Sequence, residues 1–405
     1  MELLSAMRVQ SAPLVQMHSD GQHYDASCFL SVGDLVLGLL ERANASSAAG
    51  ASLPVLDRMA ALTKLGQAYG STKLLDVRSR WDGTGMWSAA TEDMSLADAL
   101  RRCLHIGLRG DGGRDGGGGS LAPGDPMLRT CPHRFAVIDA SGLITDIVAQ
   151  SDLAMYLRRN RELLDPSVLD ATARSLGLGA QGGRRVAQVP SALPAVDAFY
   201  EMERQNVQAV AVVDEATDAI IGNLSESDLV TLDPNAFGAL ALPVGEYLLH
   251  AHGLGDALGR EGAAAEALAR DGMSASSGEL YNPKSSPYAV ALRRFGARLT
   301  VTCSDGSTVG EILDAMHVRA VHRVWVVDDA GRPTGVVALS DVLAAVATRN
   351  PGEGQTDSSA RESVATSCCS SSCSRGGSRR GRLADLQIFC PRLCFYLCLY
   401  LCLWL

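Results

Sequence analysis

The polar chemistry of this chain gathers around four aspartates that close similar short segments. These are Asp34 after Cys28-Phe29-Leu30-Ser31, Asp152 after Ile147-Val148-Ala149, Asp228 after Asn223-Leu224-Ser225, and Asp341 after Val337-Ala338. Three residues before each aspartate stands Ser31, Ala149, Ser225 or Ala338. Two of the four copies also carry a cationic pair upstream, His133-Arg134 and His322-Arg323; the others show Ser11-Ala12-Pro13 and Val207-Gln208-Ala209 there. A guanidinium can bind a phosphate through two parallel hydrogen bonds, and an imidazole adds a titratable donor. A carboxylate accepts hydrogen bonds, and a helix start favours anions. The simpler reading of one such Asp is a helix N-cap, and of one His-Arg pair a solvated surface pair. Four copies at matched spacing, with cations at equivalent points of alternate copies, argue for a shared motif, although such an Asp can cap its helix and bind nothing. No nucleophile elbow, Walker motif, kinase loop or zinc-protease motif occurs, so the chemistry read here is binding and not catalysis.

The elements that position these residues repeat with them. Apolar runs end in Asp139, Asp214 and Asp328, and the helix-start Asp follows 13, 14 and 13 residues later. Between the two lie a turn and a second apolar run. Helical spacing precedes each pair of runs: Leu96, Ala99, Leu100 and Cys103 behind Ser95; Val196, Phe199 and Tyr200 behind Pro194; Val309, Ile312, Leu313 and Met316 behind Ser307 as the expected N-cap. Each unit reads as strand, helix, strand, strand, helix, an α/β (α+β) class. The first copy is expected to keep only its second half, from Cys28 to Asp34. Units of about 50–60 residues bury little surface alone, so copies are expected to pair.

This order, with its closing apolar-Ser/Ala-x-x-Asp, resembles the CBS (cystathionine β-synthase) domain. The stretch from His322 to Val346 is similar to the last repeat of gamma subunits of AMP-activated and SNF1-type kinases. Four copies, Trp87 after a long linker, and the run Val321 to Val327 resemble the plant SNF-four-like gamma relatives. The resemblance implies four CBS repeats in two tandem pairs: residues 1–42, incomplete at the start; 72–160, with a Gly-rich insertion; 184–232; and 298–348. It implies adenine nucleotides (AMP, ADP or ATP) as regulatory ligands rather than catalytic cofactors. Ribose hydroxyls would be held by Asp34, Asp152, Asp228 and Asp341, with Ser31 and Ser225 as hydroxyl partners. Phosphates would be held by His133, Arg134, His322 and Arg323. The implied partners are a protein kinase catalytic subunit and a beta-type scaffold subunit. Repeats one and three keep the hydroxyl while two and four keep the cations, so each pair holds one full set of parts. The other reading is a CBS-domain scaffold whose clefts are empty or structural.

Composition sets further bounds. The net charge of −9 argues against nucleic acid or an anionic membrane held by bulk electrostatics, so a phosphate site needs local cations. No secretory signal opens the chain, so reduced thiols and a cytoplasmic or nuclear location are expected. Seven of the 11 cysteines fall after residue 367, and Cys368-Cys369 with Cys373 lacks the second pair a zinc site needs. Gly110 to Gly119 reads as a flexible insertion, because no Walker-type Lys follows it. Residues 44–52 and 251–280 read as linkers, the latter with a helix near Ala263 to Ala269. Residues 350–405 read as a disordered tail with an apolar Cys/Leu end. The 13 residues from Leu393 to Leu405 are short for a bilayer, which needs about 20. Cys402-Leu403-Trp404-Leu405 matches a prenylation box in form only, and a read-through tail is the favoured reading. The opening Met1-Glu2-Leu3-Leu4 resembles the end of an opening helix, as though the first unit had lost its initial strand.

Overall fold

The computed structural model describes residues 11–17, 24–45, 54–72, 88–104, 133–178, 186–205, 207–232, 235–254, 292 and 300–349. Trp87, the Gly-rich insertion, the expected helix near Ala263 and the Cys-rich tail lie outside these residues.

Three units share one plan. In the second repeat β3 (Ala89–Thr91) crosses through α3 (Leu96–Cys103) to a parallel β4 (Arg134–Ile138), which turns back as the antiparallel β5 (Ile144–Ala149) and enters α4 (Gln150–Arg159). The third places β6 (Gln188–Pro190), α6 (Ala195–Arg204), β7 (Ala209–Val213) and β8 (Ile220–Ser225) in the same relation. The fourth uses β9 (Thr302–Cys303), α8 (Val309–Val318), β10 (Arg323–Val327), β11 (Pro333–Ala338) and α9 (Leu339–Arg349). A parallel pair needs a crossover long enough to hold a helix, which the spacing of the apolar residues supplies.

The hairpins explain the step of 13, 14 and 13. The strand-end aspartates fold the turns onto themselves: Asp139 Oδ1 accepts from the Ser141 N–H at 2.8 Å, Asp214 Oδ1 from Ala216 at 2.7 Å and Asp328 Oδ1 from Ala330 at 3.0 Å. Such side-chain-to-backbone bonds are what favour Asp at turns. The Asp139 and Asp328 turns close four residues on, through left-handed Gly142 (φ 84°) and Gly331 (φ 74°). The Asp214 turn closes five residues on, at Ala219, with Asp218 at φ 57° in the glycine's role. The extra residue therefore lies in the turn, and strand register is unaffected.

Two readings are corrected at the first repeat and the third. The first repeat has a complete hairpin: β1 (Ser11–Met17) pairs antiparallel with β2 (Tyr24–Ser31), leading into α1 (Val32–Ala45). Pro13 and a bulge after Leu14 disguised β1; a proline is tolerated because, among the described residues, this sheet has two strands, both of them edges. In the third repeat Asp228 opens only a six-residue 3-10 turn, Glu226–Thr231, instead of an α-helix. Pro234 follows closely and disfavours helical geometry at the residue before it. The N-cap of α8 is Thr308, one residue beyond Ser307, in a capping box with Glu311. Ser95 caps α3: its hydroxyl oxygen accepts the Asp98 N–H at 3.1 Å and its hydroxyl donates to Asp98 Oδ2 at 2.8 Å.

Helices join the repeats in pairs that skip one. In one core, Leu35, Leu39 and Leu40 of α1 pack with Phe199 of α6 and Leu248 of α7 (Val244–Ala251). Helix α2 (Val55–Gly70) joins them through Leu62, so the first repeat rests on the third. In another core Leu153 and Leu157 of α4 meet Leu343 and Val346 of α9, so the second rests on the fourth. Beyond α4, the short α5 (Pro166–Leu169) reinforces this side, and Arg158 and Arg161 both pair with Asp314 of α8 at 2.9 and 2.8 Å. The third and fourth repeats also meet sheet to sheet. Ala209, Ala211 and Val213 pack against Trp325, whose indole N–H donates to Asn223 Oδ1 at 3.1 Å. Strand β7 is buried on both faces, and its sequence is accordingly a continuous apolar run rather than an alternating one.

Candidate functional site

All four helix-start aspartates do the same local work. One oxygen, Oδ2, accepts the backbone N–H three residues earlier: Ser31 at 2.7 Å, Ala149 at 2.8 Å, Ser225 at 2.7 Å and Ala338 at 2.8 Å. In the first and third repeats the serine hydroxyl also donates to that oxygen, at 2.8 and 3.0 Å. Where Ala149 and Ala338 replace serine, only the carboxylate half of the capping box remains. The capping reading of these residues is thus observed at every copy, and it commits one carboxylate oxygen. At Asp228 the other oxygen is engaged too: His252, just past α7, lies with Nε2 3.2 Å from Oδ1. Tyr247 of α7 donates its hydroxyl to the Asp228 carbonyl at 2.8 Å.

The cationic pairs of the second and fourth repeats converge. Strands β4 and β10 start at equivalent points, and each sends its arginine across to a repeat that lacks the His-Arg pair. Arg134 Nη1 donates to the Ser11 carbonyl at 3.1 Å, and Arg323 Nη1 to the Gln208 carbonyl at 3.2 Å. The Gln208 side-chain nitrogen lies 2.5 Å from His133 Nε2. His133 and His322 are exposed to solvent and lie close enough to Arg134, Arg323 and each other to feel their charges, so the four groups share one solvent-facing opening between the repeats. Desolvation, followed by the charges of Arg134 and Arg323, pushes the His133 pKa down to about 4. Desolvation also lowers His322, helped by Arg323 and Arg134. Both imidazoles are therefore neutral at pH 7, and the standing positive charge of the opening comes from the arginines.

Acids of the first and third repeats answer that charge. Arg323 is desolvated, with Glu226 and Asp228 as its compensating anions. Desolvation and the neighbouring Asp34 carboxylate raise Glu226 to about 7, against the pull of Arg323. The structure thus brings His133, Arg134, His322 and Arg323 together, with Asp34 and Asp228 close by; Asp152 and Asp341 cap their own helices in the second and fourth repeats. Glu226, Gln208 and His252 escape sequence reasoning. Glu226 and Gln208 differ from their counterparts in the other repeats, a signal that is plain only after the repeats are superposed. His252 lies outside the repeat pattern.

Two stretches of the chain match a known family, and longer ones are similar to known proteins. The CBS domain family matches residues 183–235 and 299–348. Pig 5'-AMP-activated protein kinase subunit gamma-3 is 26% identical over 237 residues, 56% of this chain and 37% of that protein. The chain thus spans less than two-fifths of that relative's length. The Arabidopsis thaliana SNF1-related protein kinase regulatory subunit gamma-like PV42b is 43% identical over 49 residues, 12% of this chain and 14% of its own. Among solved structures, protein MJ1225 of Methanocaldococcus jannaschii, proposed as an archaeal homologue of gamma-AMPK, covers 82% of this chain and 87% of its own at 11% identity and a TM-score of 0.41. Among the described residues no helix is long and apolar enough to cross a membrane. The family match identifies CBS domains in the third and fourth repeats, where three-stranded sheets are crossed by a helix and Asp-capped turns close the unit, and the chain resembles the gamma regulatory subunits of AMP-activated and SNF1-related protein kinases at low identity.

Proposed function

We propose that the chain is a non-catalytic, gamma-like regulatory subunit of an SNF1/AMP-activated-type protein kinase complex that binds AMP, ADP and ATP in the opening between its repeats. It would act in the cytoplasm or nucleus with a catalytic and a beta-type scaffold subunit. The observation that carries this reading is the convergence of both His-Arg pairs, from the second and fourth repeats, on one solvent-lined opening. A guanidinium pair and two neutral imidazoles suit the phosphate end of a nucleotide, and the aspartates at the helix starts suit its ribose. Nucleotides regulate such an assembly only if they bind its active and inactive forms with different affinity.

Calorimetric titration of the full chain with AMP, ADP and ATP tests the reading. Binding is expected in the wild type, with a loss of about tenfold or more in Arg134→Ala/Arg323→Ala, since each removes a charge-assisted contact. Asp341→Ala tests the ribose assignment in the fourth repeat. A second reading, a scaffold with structural clefts, is favoured by the His252–Asp228 pair and by the arginine bonds to Ser11 and Gln208, which are internal uses of the same groups. The absence of heat with any nucleotide would leave that reading standing.

A further inference from the structure

One acidic side chain is set where an anion would be expected. Glu226 opens the 3-10 turn of the third repeat, but its carboxyl reaches over the first turn of α1 in the first repeat. There its atoms lie only 2.7–3.0 Å from the position a Cβ on Gly33 would take. A glycine is needed at residue 33 for that approach, and the carboxyl sits at a 14-residue helix's N-terminus, the end that favours negative charge. Its own backbone N–H and the Arg323 guanidinium both donate to the Gln208 carbonyl, at 3.3 and 3.2 Å, so the two side chains leave from one anchor. The groups facing Glu226 are Asp34 on α1 and Arg323 on β10, with Asp228 on its own turn as the other anion near that arginine.

We propose that Glu226 is a specificity-determining residue of the opening, an internal anion that an incoming phosphate must displace or discharge, and that it selects nucleoside monophosphates over triphosphates. The inference rests on the nucleotide reading above and deepens it. A phosphate that reaches Arg323 enters the field of the Glu226 carboxylate. The repulsion grows with ligand charge, so ATP suffers more than AMP. Because burial and Asp34 already hold the carboxyl near pH 7, binding relieves the repulsion by taking a proton from solvent onto Glu226. No covalent change is involved.

The experiment compares AMP and ATP titrations of wild type, Glu226→Gln and Gly33→Ala, in two buffers of different ionisation enthalpy. Gln keeps the shape and removes the charge; the added Cβ at residue 33 pushes the far end of the Glu226 side chain away without altering it. Wild type is expected to prefer AMP and to take up protons on binding. Glu226→Gln tightens ATP more than AMP, shrinks the preference by about tenfold and loses the proton uptake. Gly33→Ala moves the same way, and provides the same readout if the Gln variant folds poorly. Binding seen only in Glu226→Gln also supports the proposal. An AMP/ATP ratio and proton count unchanged in both variants overturn it while leaving nucleotide binding intact. No heat in wild type or either variant overturns both.

Discussion

At the residue scale, the same side-chain types serve opposite ends depending on what surrounds them. His133 and His322, desolvated and set among arginines, release their proton more readily, whereas His252, set on a carboxylate, holds its proton more tightly: its pKa is raised from 6.5, chiefly by the bond to Asp228. A histidine that binds its proton more tightly when folded stabilises the fold below its unfolded pKa. That contribution is lost as pH rises through the higher folded value. The pair is partly exposed on the histidine side, so the effect is modest. The melting temperature of wild type is expected to exceed that of His252→Gln at about pH 6, with the gap closing by about pH 9. A gap that widens with pH, or none at pH 6, would show that the contact does not hold in solution. Chemistry of this kind was half legible. The His-Arg pairs and the aspartates could be read as phosphate- and hydroxyl-binding types, but Glu226, Gln208 and His252 act through contacts between repeats or beyond them.

At the element scale, local rules account for most of what formed. The stripe Val309, Ile312, Leu313 and Met316 is buried as its 3.6-residue spacing required, and a capping box starts its helix. The end of α8 is less well suited to its sequence. Ala320 follows the Arg319 C-cap with φ 50°, the left-handed geometry in which glycine carries no Cβ penalty. Ala320→Gly is therefore expected to stabilise by about 0.5–1 kcal/mol, the relief of left-handed strain outweighing the looser unfolded chain; urea denaturation measures it, and a lowered midpoint would refute it. Helix α2 shows why periodicity failed elsewhere. Met59, Leu62, Leu65 and Tyr69 do recur at helical spacing, but its fully buried face also holds Arg58 and Gly66, which a purely apolar pattern does not mark. Arg58 is instead buried against Asp197 of α6 at 3.6 Å. The third repeat's shortened turn was equally hidden, because Ser225 and Asp228 repeat the pattern faithfully and the difference arises only downstream of it.

At the scale of the whole molecule, the opening exists because the repeats alternate. Helices tie the first repeat to the third and the second to the fourth, while the sheets of the third and fourth face each other. Trp325 holds that sheet contact, at 2% exposure, and it lies two residues from Arg323 on the same strand. Residues i and i+2 of a strand share a face, so the indole that docks on Asn223 and the guanidinium that docks on Gln208 are set by one register. Replacing a buried Trp by Ala costs about 3–5 kcal/mol through lost burial and the cavity left behind. Trp325→Phe keeps one aromatic ring but loses the pyrrole half and its N–H, leaving the Asn223 amide oxygen without that donor, at about 1–3 kcal/mol. Urea unfolding should rank wild type above Trp325→Phe above Trp325→Ala. Because Arg323 shares that face, the nucleotide affinity proposed above should fall in the same order, even though Trp325 is not among the groups proposed to hold phosphate or ribose. A Trp325→Ala chain that keeps wild-type stability would mean that the sheet contact does not hold the repeats together. One that unfolds early yet binds normally would uncouple the opening from the register that forms it.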